Sequence, residues 1–367
     1  MKRFVIVMLL GLCFVQYLIQ PHAYAAQMFS DRQTQGQADM RRTLDGESRM
    51  VLDAISDGED LTQSISRILR QTKQQQRGAI AEAVAALTGA AVVMLLCSCA
   101  EAFSKTSRIS PLILQLAGAL GMTAAVYQTL AGLTSLCRET TEQIQIFSKS
   151  MLPVMTTAIG LSGSPASAAL VYSGTMFALD LCISLITGVY IPAVSAYVAI
   201  LTVNTAIGND MLKRLAACVK WLITGSLRLL LTLFFFYITI SGSVSHGMDA
   251  GTVKAAKFAL NSSVPLVGNI LSGATDSVLA GAVVLKNSLG VFGMLCICAI
   301  CLVPFLRIGV NYLAFKIGAA VLSPICPKLL SGLADGIADS IGMIFGMLGS
   351  CSAILFFELV YSVVMVT

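Results

Sequence analysis

Beyond the first 30 residues, seven stretches of this chain are apolar and carry no Lys, Arg, Asp or Glu over a length that could cross a bilayer: 83–100, 109–137, 150–179, 181–209, 229–248, 287–306 and 340–357. A helix needs about 20 mostly apolar residues to cross the hydrocarbon core of a bilayer. Runs of that length, repeated along one chain, restrict the fold to helices packed in lipid. The composition agrees, with 56% of the residues hydrophobic and only 12% charged. A soluble domain carries about 25% charge, and a chain of 367 residues at half that density cannot keep an aqueous surface wet.

The charges that exist are unevenly placed. Residues 27–78 hold eight basic and eight acidic side chains, so the net charge of +5 belongs to the rest of the chain. No basic face is clustered in the way that nucleic-acid binding requires.

The first 26 residues have the three parts of a secretory signal. Lys2 and Arg3 form the charged start, residues 4–19 the apolar stretch, and Ala23-Tyr24-Ala25 the small-residue pattern that places cleavage at Ala25 and Ala26. Residues 27–78 are then exported. They are Gln-rich, with apolar residues at roughly helical spacing from Leu44 to Leu69, which predicts one or two amphipathic helices and a break at Asp57-Gly58-Glu59-Asp60. Residues 79–367 form the polytopic region. The expected fold is therefore all-α: a transmembrane helix bundle of about seven or eight spans, after a cleaved signal peptide and a small helical extracytoplasmic segment.

Two shorter apolar pieces, 264–285 and 317–327, are interrupted by Asp276 and by Pro324 and Pro327. They read as re-entrant or interfacial elements, or else as distorted spans. Basic residues in short loops favour the cytoplasmic side, which assigns Lys105, Arg108, Lys213, Arg214 and Lys220 to it. The simple count of runs puts an odd number of crossings between those two clusters. The conflict is resolved if 150–209 holds three spans, or a span pair with a re-entrant piece. The breakers Ser162-Gly163-Ser164-Pro165 and Ile191-Pro192 allow either.

Enzymatic chemistry is poorly supplied. His22 and His246 are the two histidines, and no G-x-x-x-x-G-K-[ST] loop occurs, so nucleotide hydrolysis by the P-loop route is excluded. No catalytic residue, metal site or cofactor is implied. The cysteines lie mostly within apolar runs, where a free thiol behaves as a small hydrophobe; Cys298 and Cys301 are expected to share a helix face, with Cys296 pointing away.

Charge inside a span is costly and marks a packing or functional site by default. Asp180, about thirty uncharged residues from the next charge on either side, sits either at a tight loop between spans or against a polar interior. Arg228 and Glu358 lie near span ends, from which long side chains snorkel to the interface. The patterns Gly332-Leu-Ala-Asp-Gly336 and Gly342-Met-Ile-Phe-Gly346 predict close helix packing. Lys254, Asn261, Pro265, Gly268, Asp276, Lys286, Asn287 and Gly290 place polar and breaker residues through an apolar stretch. Interrupted helices are tolerated only beside protein or a water-filled cavity, so this stretch is either an interfacial helix pair or part of a conduit.

That stretch carries a family likeness. Lys254-Ala-Ala-Lys-Phe-Ala-Leu-Asn-Ser-Ser-Val-Pro-Leu-Val-Gly268, Leu271-Ser-Gly-Ala-Thr-Asp276 and Lys286-Asn-Ser-Leu-Gly290 resemble the core of the stage III sporulation protein AE family. The Pro304-Phe-Leu-Arg-Ile308 turn and Tyr190-Ile-Pro192 fit it too, as does the layout. The resemblance implies a multi-pass protein of the mother-cell membrane around the forespore. It implies the permease-like part of a channel or secretion complex whose other membrane and ring subunits and whose ATPase are separate chains. It brings no catalytic residues. The rival expectation is a stand-alone secondary transporter of a small solute, with Asp180 as its coupling residue.

Overall fold

The structure is a computed structural model that describes residues 84–101, 111–161, 165–263 and 268–364, with scattered positions between 37 and 49 and Ala81, and only the backbone at 111–112, 165–167, 171, 242–263, 268–279, 281, 285–286 and 362–364. The expected cleavage site at Ala25 and Ala26, the signal segment and nearly all of 27–78 lie outside the described residues. The described part is all helical: α1 (Val84–Glu101), α2 (Pro111–Leu161), α3 (Pro165–Leu185), a π-turn (Ile186–Tyr190), α4 (Ile191–Ile207), α5 (Asp210–Ser263), α6 (Gly268–Leu322) and α7 (Lys328–Val364).

Their directions follow from which residues meet. Gly118, Gly121 and Ala125 of α2 approach Cys97, Val93 and Gly89 of α1, so the two run antiparallel. Gln145 of α2 meets Asp180 of α3, and Thr123 meets Thr202 of α4, which reverses the chain again. Tyr190 bonds Ser226 and Gly174 lies under Tyr237, so α5 runs against α3 and α4. On α6 and α7, Gly293 lies near Leu359 and Tyr312 near Gly342. The chain therefore alternates in direction at each link. α7 is the hub, with Ile337, Ile341, Met347, Cys351, Ile354 and Leu359 fully buried among its neighbours.

Six helices are long and apolar enough to cross a membrane among the described residues: Val84–Glu101, Ile113–Leu161, Ala168–Ile207, Asp210–Ser241, Ala282–Leu322 and Lys328–Tyr361. Large apolar side chains such as Phe177 and Trp221, each 71% exposed, stand on the outside of the bundle. Such a surface suits lipid contact and not water.

Seven or eight spans were expected, and the difference lies in how the breakers act. Ser162-Gly163-Ser164-Pro165 does separate two helices, with Pro165 at the first position of α3, where the missing N–H costs nothing. Ile191-Pro192 does not. A proline ring clashes with the carbonyl four residues back and cannot donate to it. The backbone absorbs this by one π-turn, in which the Ile191 N–H donates to the Ile186 carbonyl, five residues back. Residues 165–207 thus form one continuous run of helix, and 111–137 joins the start of 150–179 in the 51-residue helix α2. Two helices long and apolar enough to cross, not three, lie between Arg108 and Lys213, and counted so the parity conflict disappears.

Other expected interruptions are also absent. α6 continues as helix through Asp276, Lys286, Asn287 and Gly290, and Pro304 lies buried inside the same helix where a Pro304–Ile308 turn was expected. A membrane helix tolerates an internal proline because neighbouring groups satisfy the freed backbone. The 317–327 piece divides: Ile317–Leu322 closes α6, and Pro324 and Pro327 flank a tight turn in which the Ile325 and Cys326 N–H groups donate to the Leu322 carbonyl. At the matching turn between α4 and α5, Gly208 takes a left-handed φ of 71° and donates to the Asn204 carbonyl, while Asn209 Oδ1 caps the Met211 N–H at 2.9 Å. These two turns, with Lys213, Arg214 and Lys328 beside them, define the basic end of the bundle.

Candidate functional site

Near the basic end, three helices are joined by charge. On α7, Asp335 and Asp339 are four residues apart and so share a face. Lys220 of α5 reaches Asp339 Oδ2 at 2.6 Å. Lys316 of α6 reaches Asp335 Oδ1 at 2.7 Å and Asp339 Oδ1 at 3.3 Å. Asp339 therefore serves two cations from two other helices, and its side chain is 23% exposed against 43% for Lys220. Gly336, between the two aspartates, admits Leu201 of α4 where a Cβ would collide with it. The second glycine of the Gly332-x-x-x-Gly336 pattern thus brings a fourth helix to the cluster, while Gly332 meets nothing within 4 Å. The grouping was missed in the sequence because Lys220 read as a cytoplasmic loop charge. The findable signal was an i, i+4 acidic pair in a chain with few acids.

Asp180 stands toward the C-terminal end of α3, on a helix that runs on through the π-turn into α4, exposed on the flank of the bundle and not in a loop between spans. The Gln145 Nε2 of α2 donates to its Oδ1 at 3.0 Å. Arg228 is also exposed, 13 residues before Ser241 on α5. Glu358 is 1% exposed in the core. Tyr190, at the end of the π-turn, donates its hydroxyl to Ser226 Oγ of α5 at 2.8 Å, and Ser226 in turn donates to the Leu222 carbonyl.

Of the motif residues, Lys254 and Asn261 lie on the α5 backbone and Asp276 and Lys286 on that of α6, with side chains outside the described set; Pro265 falls in the link between the two helices, which is also outside it. Gly268 opens α6. Asn287 is partly buried and its Oδ1 has no hydrogen-bond partner among the described residues, while Gly290 is buried. The cysteines pack as hydrophobes: Cys182 and Cys351 touch in the core with their Sγ atoms 3.3 Å apart. Cys296 and Cys301 are both buried and Cys298 is exposed. α6 is covered over so wide an arc that the expected division of these three does not hold.

Residues 48–367 match the family model described as stage III sporulation protein AE. Among curated proteins, the stage III sporulation protein AE of Bacillus subtilis (strain 168) is 29% identical over 224 residues, covering 60% of this chain and 56% of that protein. The matched part thus spans about half the length of that relative. No solved structure matches the chain.

Proposed function

The chain belongs to the stage III sporulation protein AE family, and on that premise we propose that it is the permease-like membrane subunit of a sporulation-specific channel or secretion complex. It resides in the mother-cell membrane around the forespore and is required for forespore development. Its partners are the other membrane and ring subunits of the complex, a separate ATPase chain and the lipid bilayer. It has no enzymatic activity of its own.

The observation that supports this reading best is a family member folded as one alternating bundle of six apolar helices in a sequence without a nucleotide loop. Such a bundle has to borrow its energy, either from a partner ATPase or from an ion gradient. The partner is favoured because Asp180, the residue that ion coupling would use, lies on the outer flank and is engaged by Gln145. Coupling residues are expected to face an interior cavity.

The test is an in-frame deletion in the native endospore-forming host, with late forespore-specific reporter expression as the readout. The deletion is expected to lower that expression by about an order of magnitude or more, and the wild-type gene in the mother cell alone is expected to restore it. Restoration only from the forespore, or undisturbed expression in the deletion, contradicts the reading. Purified protein that moves a solute in liposomes without partners favours the stand-alone transporter instead.

A further inference from the structure

Helices α2, α5 and α7 run in the same direction, so their contacts with α7 give the height of residues on the other two. The Cys137 Sγ of α2 lies 3.9 Å from the Ile344 carbonyl. Ile344 is 16 residues from one end of Lys328–Tyr361 and 17 from the other. Glu139 and Glu142, two and five residues past Cys137, are therefore level with positions 346 and 349 of α7. On α5, Lys220 meets Asp339, and the Phe235 ring packs edge-on against Phe357 with centroids 4.8 Å apart. Arg228 is eight residues after Lys220 and seven before Phe235, which sets it level with positions 347–350. Arg228 and Glu142 thus stand at one height, near the middle of the bundle.

Arg228, Glu139 and Glu142 are all exposed, and none of them makes an ion pair among the described residues. Glu139 accepts the Ser135 hydroxyl at 2.8 Å. From mid-span to either interface is about 15 Å of hydrocarbon, farther than these side chains can snorkel. Charges so placed in a membrane bundle face protein or water. Their surroundings also differ from a lipid surface. The open face of α2 below the glutamates carries Gln128, Gly132 and Ser135, and a Cβ at Gly132 would meet nothing. That of α5 carries Thr224 and Thr232 one turn to either side of Arg228. Small and polar residues of this kind build helix–helix interfaces in membranes. Arg138, the cation nearest the glutamates, lines the cavity between α2 and α4 with Val194 and Ser195. The outer face of α2 is left acidic at this height.

The partner follows from where the two faces sit. α3, α4 and α7 each pack on both α2 and α5, so the acidic and the basic face lie on separate flanks of one chain. Between two copies inserted the same way, the heights already match. The α5 face of one copy meets the α2 face of the next with no shift along the membrane normal. The two faces differ, so the contact is head-to-tail, and such contacts close into rings when the rotation between copies closes.

We propose that copies of this chain associate head-to-tail in the membrane as a ring, with Arg228 of one copy paired with Glu142 of the next and Glu139 beside it. The ring follows from height and charge alone and does not depend on the channel reading.

The test is co-purification of two differently tagged full-length copies, expressed together and extracted in mild detergent. Wild-type copies are expected to co-purify. Arg228→Glu in both copies opposes like charges at the contact and is expected to lower recovery of the second tag about tenfold; Glu142→Arg in both is expected to do the same. One copy with Arg228→Glu and the other with Glu142→Arg restores opposite charges at every contact between unlike copies, and is expected to return recovery to the wild-type level. That rescue separates a broken contact from a misfolded chain, because the same two variants fail when each is paired with itself. The proposal is overturned if wild-type copies do not co-purify or if either like-charge combination is recovered undiminished. It is equally overturned if the mixed pair is not rescued, a result that assigns these charges to a different partner chain.

Discussion

Asp339→Ala is expected to destabilise the bundle by about 2 kcal/mol, between the cost of losing an exposed pair and that of breaking a buried one. The loss falls on two helices at once, because Asp339 accepts from both Lys220 and Lys316. The two lysines are not equally affected. Lys316 keeps Asp335 at 2.7 Å, whereas Lys220 is left with an ammonium that has lost its carboxylate between packed helices. The larger part of the cost is therefore the stranded charge and not the lost attraction. Removing that charge should recover about half of the loss, so Asp339→Ala with Lys220→Met is expected to be more stable than Asp339→Ala alone. Unfolding free energies in detergent micelles decide it. A double variant less stable than the single one contradicts the pairing.

The second large effect is steric. Gly174 of α3 has the Tyr237 ring of α5 directly against it, and the Tyr237 hydroxyl is held by the Leu170 carbonyl at 2.7 Å. A Cβ at 174 would run into the ring, which cannot swing aside without giving up that bond. Gly174→Leu is expected to cost about 3 kcal/mol, at the upper end of overpacking effects. The loss should be smaller in a Gly174→Leu, Tyr237→Ala double variant, because the leucine then fills the space left by the ring. Micellar unfolding of the two singles and the double measures this coupling. Strict additivity would show that α3 and α5 do not meet there.

These contacts mark what the sequence could and could not convey. The apolar runs made a membrane bundle legible, since a 20-residue uncharged stretch has few other fates. Turn chemistry was legible where it is local: Gly208-Asn209, Ser162 to Pro165, and the prolines around Ser323 all end helices. Pro192 and Pro304 misled, because their effect depends on what surrounds them. A single π-turn carries the helix past Pro192, and α6 runs straight through Pro304. Asp180, in turn, read as a loop residue or an interior one because its position depends on Gln145, 35 residues earlier and on another helix. The ion network was hidden for the same reason. Lys220 and Asp339 are 119 residues apart, and only the alternating order of the helices brings them to one height. The Lys254–Gly290 stretch, which carries the clearest family likeness, lies on two helices, one ending at Ser263 and the next starting at Gly268.

The alternation of six helices is the premise on which the site, the contact between copies and the proposed role in the membrane all rest. It is tested most directly by reporters of membrane sidedness fused after residues 163, 208 and 325. A single crossing through 165–207, despite Pro192, places the reporters at 163 and 208 on opposite sides. The return through α5 and α6 then places 325 on the same side as 208. Reporters at 163 and 208 on the same side would mean that 165–207 turns back within the membrane, and would contradict the six-helix arrangement.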